Sequence, residues 1–320
     1  RSVPACEAQP PQHMDAAGPL SCKVTTRMRI ASVTDTHLEY RANSDIFIKM
    51  VREIGARGAD GVLVVGDVSH IDELIALSIR LLAREADCVA YVPGTHDVWV
   101  DRPGEDLRDD PGFNTWTRHD EHLKAMVEAE GGHYLPAAPL RLGGVAIAGS
   151  CGWYDHSFLL PEIRGQISEN NLAEQSIEGM QWGDRTRTAF RDIDGRLMTN
   201  PEVARRMEDR LDAQLESLEG DPAVDRVVCA THHLQYERAV RRSGTLPWEL
   251  FNAFMGSARM GEMIDKYAKV GHVIYGHTHT AGDFRVGPRR VFGTPLGYPR
   301  ERKGVSDEEA LRTRIGWIEL

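Results

Sequence analysis

An α/β fold is predicted for this 320-residue chain by three features of its sequence. Short β-branched runs alternate with amphipathic stretches, apolar residues in those stretches recur at helical spacing, and polar residues bunch at the carboxyl end of each run. Residues 29–34 form the first strand candidate, and Ile46, Met50, Val51 and Ile54 then follow a helical period behind Asn43, a candidate N-cap. Residues 61–65 are a second, fully apolar strand. Leu74, Leu77, Ser78, Leu81 and Leu82 mark the next helix, and residues 88–92 the third strand.

After residue 98 the chain turns rich in Asp, Arg and Gly until Asn114, which opens a helix bearing Leu123, Met126 and Val127 and stopped at Gly131-Gly132. Residues 145–148 give another strand. From 152 to 200 periodicity is poor, charges are many, and Trp153, Tyr154, Phe158 and Trp182 are interspersed, so this stretch reads as a cap inserted in one domain spanning 27–320. Regular pattern resumes with Val203, Met207, Leu211, Leu215 and Leu218 on one helix, then a strand at 226–230. A helix carrying Met260, Met263, Ile264 and Tyr267 and a strand at 272–275 follow. Val291-Phe292 and residues 315–318 are expected to pair at a sheet edge.

Composition narrows the function classes. With 41% hydrophobic and 27% charged residues the chain matches an ordinary globular enzyme and neither a disordered nor a membrane protein. No apolar run approaches the roughly 18 to 20 residues that span a bilayer, so no membrane partner is expected. A net charge of −10 disfavours a nucleic-acid polymer as partner, while a small phosphorylated molecule remains suitable. The five cysteines, Cys6, Cys22, Cys88, Cys151 and Cys229, include no close pair and make neither a disulfide framework nor a zinc ribbon, although Cys6 and Cys22 could pair. Residues 1–26, rich in Pro and Ala and without a basic-then-apolar signal pattern, are expected to be poorly structured, and the protein cytoplasmic.

Polar clusters follow five of the apolar runs: Asp35-Thr36-His37, Gly66-Asp67, Gly94-Thr95-His96-Asp97, His232-His233 and Gly276-His277-Thr278-His279. Taken singly, each would be read as a helix cap or a solvated pair. Together they place carboxylates and imidazoles at the strand ends where open α/β sheets bind ligands. Such a mixed donor set suits Mn, Fe, Zn or Co better than Mg alone. In an extended backbone, Asp35 and His37, and likewise His277 and His279, would project to one side. Asp67, alone at its strand end, is the natural bridge between two metals about 3.5 to 4 Å apart that hold a hydroxide and clamp phosphoryl oxygens.

The ordered series DxH, GD, GxHD, H and GHxH resembles the signature of the calcineurin-like metallophosphoesterases over residues 27–295. The resemblance implies a four-layer α/β/β/α sandwich of two mixed sheets flanked by helices, and two divalent transition metals, Mn, Fe or Zn. It implies that Asp35, His37, Asp67 and His279 hold one metal and Asp67, Thr95, His232 and His277 the other, with His96 as general acid. Asp97 would orient its loop and His233 support the ligands. Cys151 to Asp155 contain a Gly-Trp-Tyr-Asp stretch similar to that of a bacterial subgroup, which implies an aromatic cap with Arg185, Arg187 and Arg191 as candidate phosphate clamps.

Where the family pattern has Asn, this chain has Thr95, whose hydroxyl is shorter than an amide carbonyl. Two readings follow: a phosphoesterase acting on a small monoester or diester, or a metal-binding sensor or scaffold with an impaired second site. Val68-Ser69-His70 after the Gly-Asp pair lacks the arginine-containing extension of the protein phosphatases. His70, His119, His122 and His133 have no ligand spacing and read as structural, and His156 as surface-exposed.

Overall fold

The computed structural model describes residues 28–320. The expectations for residues 1–26, the Cys6–Cys22 pair included, lie outside that span. Thirteen strands run in chain order: β1 Arg29–Val33, β2 Gly61–Val65, β3 Cys88–Val92, β4 Gly132–Tyr134, β5 Leu140–Leu142, β6 Val145–Ser150, β7 Ser176–Ile177, β8 Met180–Gln181, β9 Arg226–Thr231, β10 Val270–Ile274, β11 Gly282–Val286, β12 Arg289–Gly293 and β13 Gly316–Glu319. One sheet has the order β13-β1-β2-β3-β4 and the other β11-β12-β10-β9-β6-β5. Each has a parallel centre, and antiparallel strands at β13, β5 and β11 make both sheets mixed.

The sheets stack face to face. Ile30, Leu63, Val65, Ala90 and Val92 of one meet Ile147, Val228, Ala230, Ile274 and Phe292 of the other in a core that excludes water. Strands buried on both faces must be apolar throughout, which is why β2 reads Gly-Val-Leu-Val-Val. Helices cover the outer faces. Ile46, Phe47, Met50, Val51 and Ile54 of the helix Arg41–Ala56 bury against the first sheet. Leu211, Leu215 and Leu218 of the helix Asn200–Glu219 bury against the second. That second helix begins in a capping box, the Thr199 N–H donating to Glu202 Oε2 at 2.7 Å, so its start is fixed locally. No helix among the described residues is long and apolar enough to cross a membrane.

Several local expectations are corrected by the tertiary structure. Asn43 is no N-cap: it lies buried inside the first turn, and its amide donates to the carbonyls of Thr36 (2.8 Å) and Gly297 (2.9 Å), tying two site loops together. In the helix Asp72–Leu82 the buried face is Ile75, Ile79 and Leu82, whereas Leu77 is 42% exposed. Strand β12, with Val291 and Phe292, lies inside its sheet because β11 covers it, so of the two strands expected at an edge β13 alone is there. Residues 152–200 fold into short helices and the β7–β8 hairpin. Leu159, Ile163, Leu172 and Phe190 from this stretch join the apolar cluster outside the first sheet.

Candidate metal centre

The loops after β1, β2, β3, β9 and β10 meet along one edge of the sandwich. Extended geometry does not aim their side chains. Asp35, His37, Asp67, His277 and His279 all have left-handed backbone, with φ between 42° and 69°. For residues with a Cβ this costs about 1–2 kcal/mol each, so surrounding bonds must enforce it. They do: Asp35 N–H donates to the Gly66 carbonyl, His37 N–H to the Asp67 carbonyl, and His277 N–H to Asp35 Oδ1 at 2.8 Å. Glycine is required where the loops touch. A Cβ on Gly66 would lie 2.6 Å from His232 Nδ1, and one on Gly276 would lie 2.3 Å from Thr34 Oγ1.

Three donor groups result among the described residues: His37, Glu39 and His96 form one, and the other two share Asp67. Asp35, His37, Asp67 and His279 bring one ligand atom each within 4.8 Å of one another, and so do Asp67, His232 and His277. Asp67 belongs to both. Its Oδ1 is 3.3 Å from His232 Nε2, while Oδ2 faces His37 Nε2 at 3.9 Å. The ring nitrogens of His37 and His279 approach to 2.9 Å.

The remaining nitrogens fix the tautomers. His232 Nδ1 faces the Val65 carbonyl (3.0 Å), His277 Nε2 the Phe254 carbonyl (3.1 Å), and His279 Nδ1 the Glu301 carboxylate (2.7 Å). With an N–H facing each of those acceptors, the opposite nitrogen of each ring is the one left for the site, and it offers a lone pair there when the ring is neutral. Among the described residues buried His232 Nε2 makes no well-formed hydrogen bond, with Asp67 Oδ1 3.3 Å away, which suits a metal-ligand atom. The residues present therefore fit a pair of metals.

Electrostatics point the same way. Burial opposes charge on Asp67, but His232, His96 and His37 hold its carboxyl well below the ordinary aspartate range. Burial likewise opposes protonation of His232, yet the Asp67 carboxylate pushes its pKa up to about 9. His277, buried beside His233 and His232, is held well below its usual value. Asp97 receives the N–H groups of Val68, Ser69 and Gly94 and so braces the β2 and β3 loops.

Other predicted residues are distributed unevenly. Thr95 is buried, with Oγ1 3.4 Å from Asp67 Oδ1. His96 stacks on Trp99 at 3.8 Å between centroids, its Nε2 lies 3.2 Å from the Tyr298 hydroxyl, and its backbone N–H donates to Asp67 Oδ1. His233, buried against His277 at 4.3 Å, bonds the Cys151 carbonyl through Nδ1. The three arginines expected as phosphate clamps are occupied elsewhere. Arg185 pairs with Glu174 and Asp106, Arg187 with Asp101, and Arg191 is buried on the carbonyls of Arg108, Asp110 and Phe113. Trp153, Tyr154 and Phe158 are core, not cleft. His156 is half-buried rather than exposed, and His70, His119, His122 and His133 bond Asp101, Asp120, Asp72 and the Ala138 carbonyl.

Sequence reasoning missed Glu39, Glu301, Tyr298 and Trp99, and it named Trp182 only among the aromatics of the expected cap. Glu39 sits 3.4 Å from His37 Nδ1 and 3.9 Å from His96 Nδ1, and its place two residues after His37 was a usable signal. Tyr298 packs at 4.5 Å on both His37 and His279. A cleft of about 360 Å³ opens onto Asp67, Thr95, His96 and His277, and Trp99, Trp182 and Asp184 line it. Asp184 accepts the indole N–H groups of both tryptophans, at 2.6 and 2.8 Å, which locks the two rings in place.

A phosphopantetheinyl hydrolase from Mycobacterium tuberculosis superposes with a TM-score of 0.65 at 20% identity, over 92% of this chain and 97% of that one. A dimetal phosphatase from Danio rerio gives 0.48 at 13% identity, over 83% and 86%. No curated protein matches the sequence. At such identities the first likeness is one of fold, and the fold is the two-sheet metallophosphoesterase sandwich. The model of the calcineurin-like phosphoesterase family matches residues 28–281, so this chain belongs to that dinuclear metal-dependent family and is a hydrolase of phosphate esters.

Proposed function

We propose that the protein hydrolyses a small phosphomonoester or phosphodiester at the two donor groups joined by Asp67. Asp35, His37, Asp67 and His279 would hold one divalent transition metal, Mn, Fe or Zn, and Asp67, Thr95, His232 and His277 the second. The observation that carries this reading is the double membership of Asp67, one oxygen facing each set of imidazoles. When bound, such a pair supplies Lewis acidity toward phosphoryl oxygens and a nucleophilic water near neutral pH.

The chain's own groups do the rest. Glu301 and the Val65 and Phe254 carbonyls hold the ligand imidazoles in one tautomer. Burial pushes the His96 imidazole down to about 3, so it is neutral in the free protein. To serve as general acid the ring would take a proton from solvent as the anionic ester binds beside it and hand it to the departing oxygen, with the Tyr298 hydroxyl 3.2 Å from Nε2 helping to orient the ring. Trp99 fixes the ring plane by stacking. We assign residues 152–200 as a cap within a single domain, since Trp182, Gly183 and Asp184 form one wall of the cleft.

The test is turnover of bis-p-nitrophenyl phosphate and p-nitrophenyl phosphate by metal-stripped protein titrated with Mn. A phosphopantetheinyl ester belongs in the diester panel. Mn should restore hydrolysis, and His96→Ala should remove it on esters with poor leaving groups. The sensor reading draws on Thr95, whose hydroxyl already lies against Asp67. It replaces the catalytic one if protein saturated with metal turns over no ester until Thr95→Asn is introduced.

A further inference from the structure

The cleft is lined by more than a phosphate needs. Beyond the donor groups its walls are Trp182, Trp248 and Phe251, and Arg241 and Arg300 line it as well. Trp248 is 44% exposed, a large apolar ring left facing water in the mouth of a site. Trp182 lies 5.6 Å from Phe251 and 5.8 Å from the His277 ring, so the apolar wall continues to the donor groups.

The arginines are distinguished by what they do not touch. Arg185 and Arg187 of the cap are neutralised by carboxylates, and Arg242 bonds Glu237 and Glu249. Among the described residues neither the Arg241 nor the Arg300 side chain is hydrogen-bonded or ion-paired to a carboxylate. Glu301, beside Arg300, is spent on His279. Both guanidinium groups instead lie over aromatic rings, Arg241 5.5 Å from Trp248 and Arg300 5.2 Å from Tyr298. In a chain of net charge −10, two exposed cations at one cleft without carboxylate partners leave room for an anion of the ligand.

We infer that the substrate is a phosphoester carrying a flat ring and a second anionic group, the chemistry of a nucleotide with two phosphates, the ring stacking on Trp248 and the second anion meeting Arg241 and Arg300. This rests on the phosphoesterase reading for the scissile phosphate and adds the recognition of everything beyond it. Tryptophan and guanidinium together suit a ring because every base presents a π-face to them.

Two measurements test it separately. In the first, thymidine 3′,5′-bisphosphate and inorganic phosphate are titrated into the metal-loaded protein, with binding read by calorimetry and tryptophan fluorescence. The bisphosphate should bind at least about tenfold more tightly and quench emission, from the worth of one stacked base and one charge-assisted contact. Trp248→Leu should remove most of the quenching, and Arg241→Gln with Arg300→Gln should bring the affinity ratio toward one. In the second, methyl p-nitrophenyl phosphate, thymidine 5′-(p-nitrophenyl phosphate) and its 3′-phosphorylated form are compared as substrates. They should rise in kcat/KM in that order, mainly through KM. Equal affinity for bisphosphate and phosphate overturns the inference whatever the turnover, and so does a ratio that survives the double arginine substitution. Tight bisphosphate binding with no turnover of any ester leaves the cleft inference standing and removes the phosphoesterase reading.

Discussion

The two donor groups share Asp67 but differ in kind. The first, Asp35, His37, Asp67 and His279, is rich in carboxylate, has Glu39 and Glu301 beside its histidines and lies under Tyr298. The second, Asp67, His232 and His277, is nearly all imidazole, its rings held by backbone carbonyls, with the Thr95 hydroxyl where the family pattern has an amide. A dication would gain more from the anionic set, so the first group would bind one on its own and the second would lean on Asp67 and, in the proposed site, on Thr95. The difference teaches that one substituted ligand need not affect both metals equally.

The sharpest break would come at the shared residue. Asp67→Asn should lower kcat/KM by roughly 10³-fold or more and weaken Mn at both groups, abolishing the second equivalent, since it removes the shared carboxylate and leaves Asp35 as the one anion of the first group. If either equivalent binds as tightly as before, Asp67 is not shared. His279→Gln and His232→Gln should each remove one equivalent, and metal analysis should show His232→Gln to keep the tighter one. Glu301→Gln, which loosens only the first group, should weaken the tighter Mn by about 10- to 100-fold while the weaker one is unmoved. Thr95→Asn should act in the opposite direction and tighten the weaker equivalent, by about tenfold if an amide carbonyl reaches where the hydroxyl falls short. Equal affinities in the natural protein would dissolve the comparison.

The smallest effect belongs to a control remote from both groups. Glu202 is held down to about 2 by Arg196 and by the Thr199 N–H in the capping box of the helix Asn200–Glu219. A depressed carboxyl contributes stability that is fully present above its unfolded value and lost as pH falls through the folded one. Thermal unfolding followed from pH 5 to pH 2 should therefore lose stability less steeply in Glu202→Gln, with Mn affinity unchanged in both groups.

The sandwich and the donor groups were legible in the sequence for a common reason. A buried parallel strand must be apolar from end to end, so β2 and β3 announce themselves, and a ligand placed directly after such a strand keeps a short, fixed spacing from it. Asp67 behind Gly66 and His277 before His279 are readable in that way. The means by which they converge were not readable. Extended pairing was the expectation at Asp35 and His37, and the backbone turned left-handed instead, because bonds from Gly66 and Asp67 on a different strand loop enforce it.

By itself, then, the sequence determined the element types, the layer order implied by its family signature, and which carboxylates and imidazoles would stand at strand ends. These depend on contacts within a few residues or on periodic apolar pattern. Tertiary structure alone decided that Glu301 orients His279, that Tyr298 touches His96, that Asn43 joins Thr36 to Gly297, and that Arg185 and Arg187 are neutralised while Arg241 and Arg300 are left facing the cleft. Those contacts join residues far apart in the chain, and a charge carries no mark in the sequence of whether packing will bring it a partner.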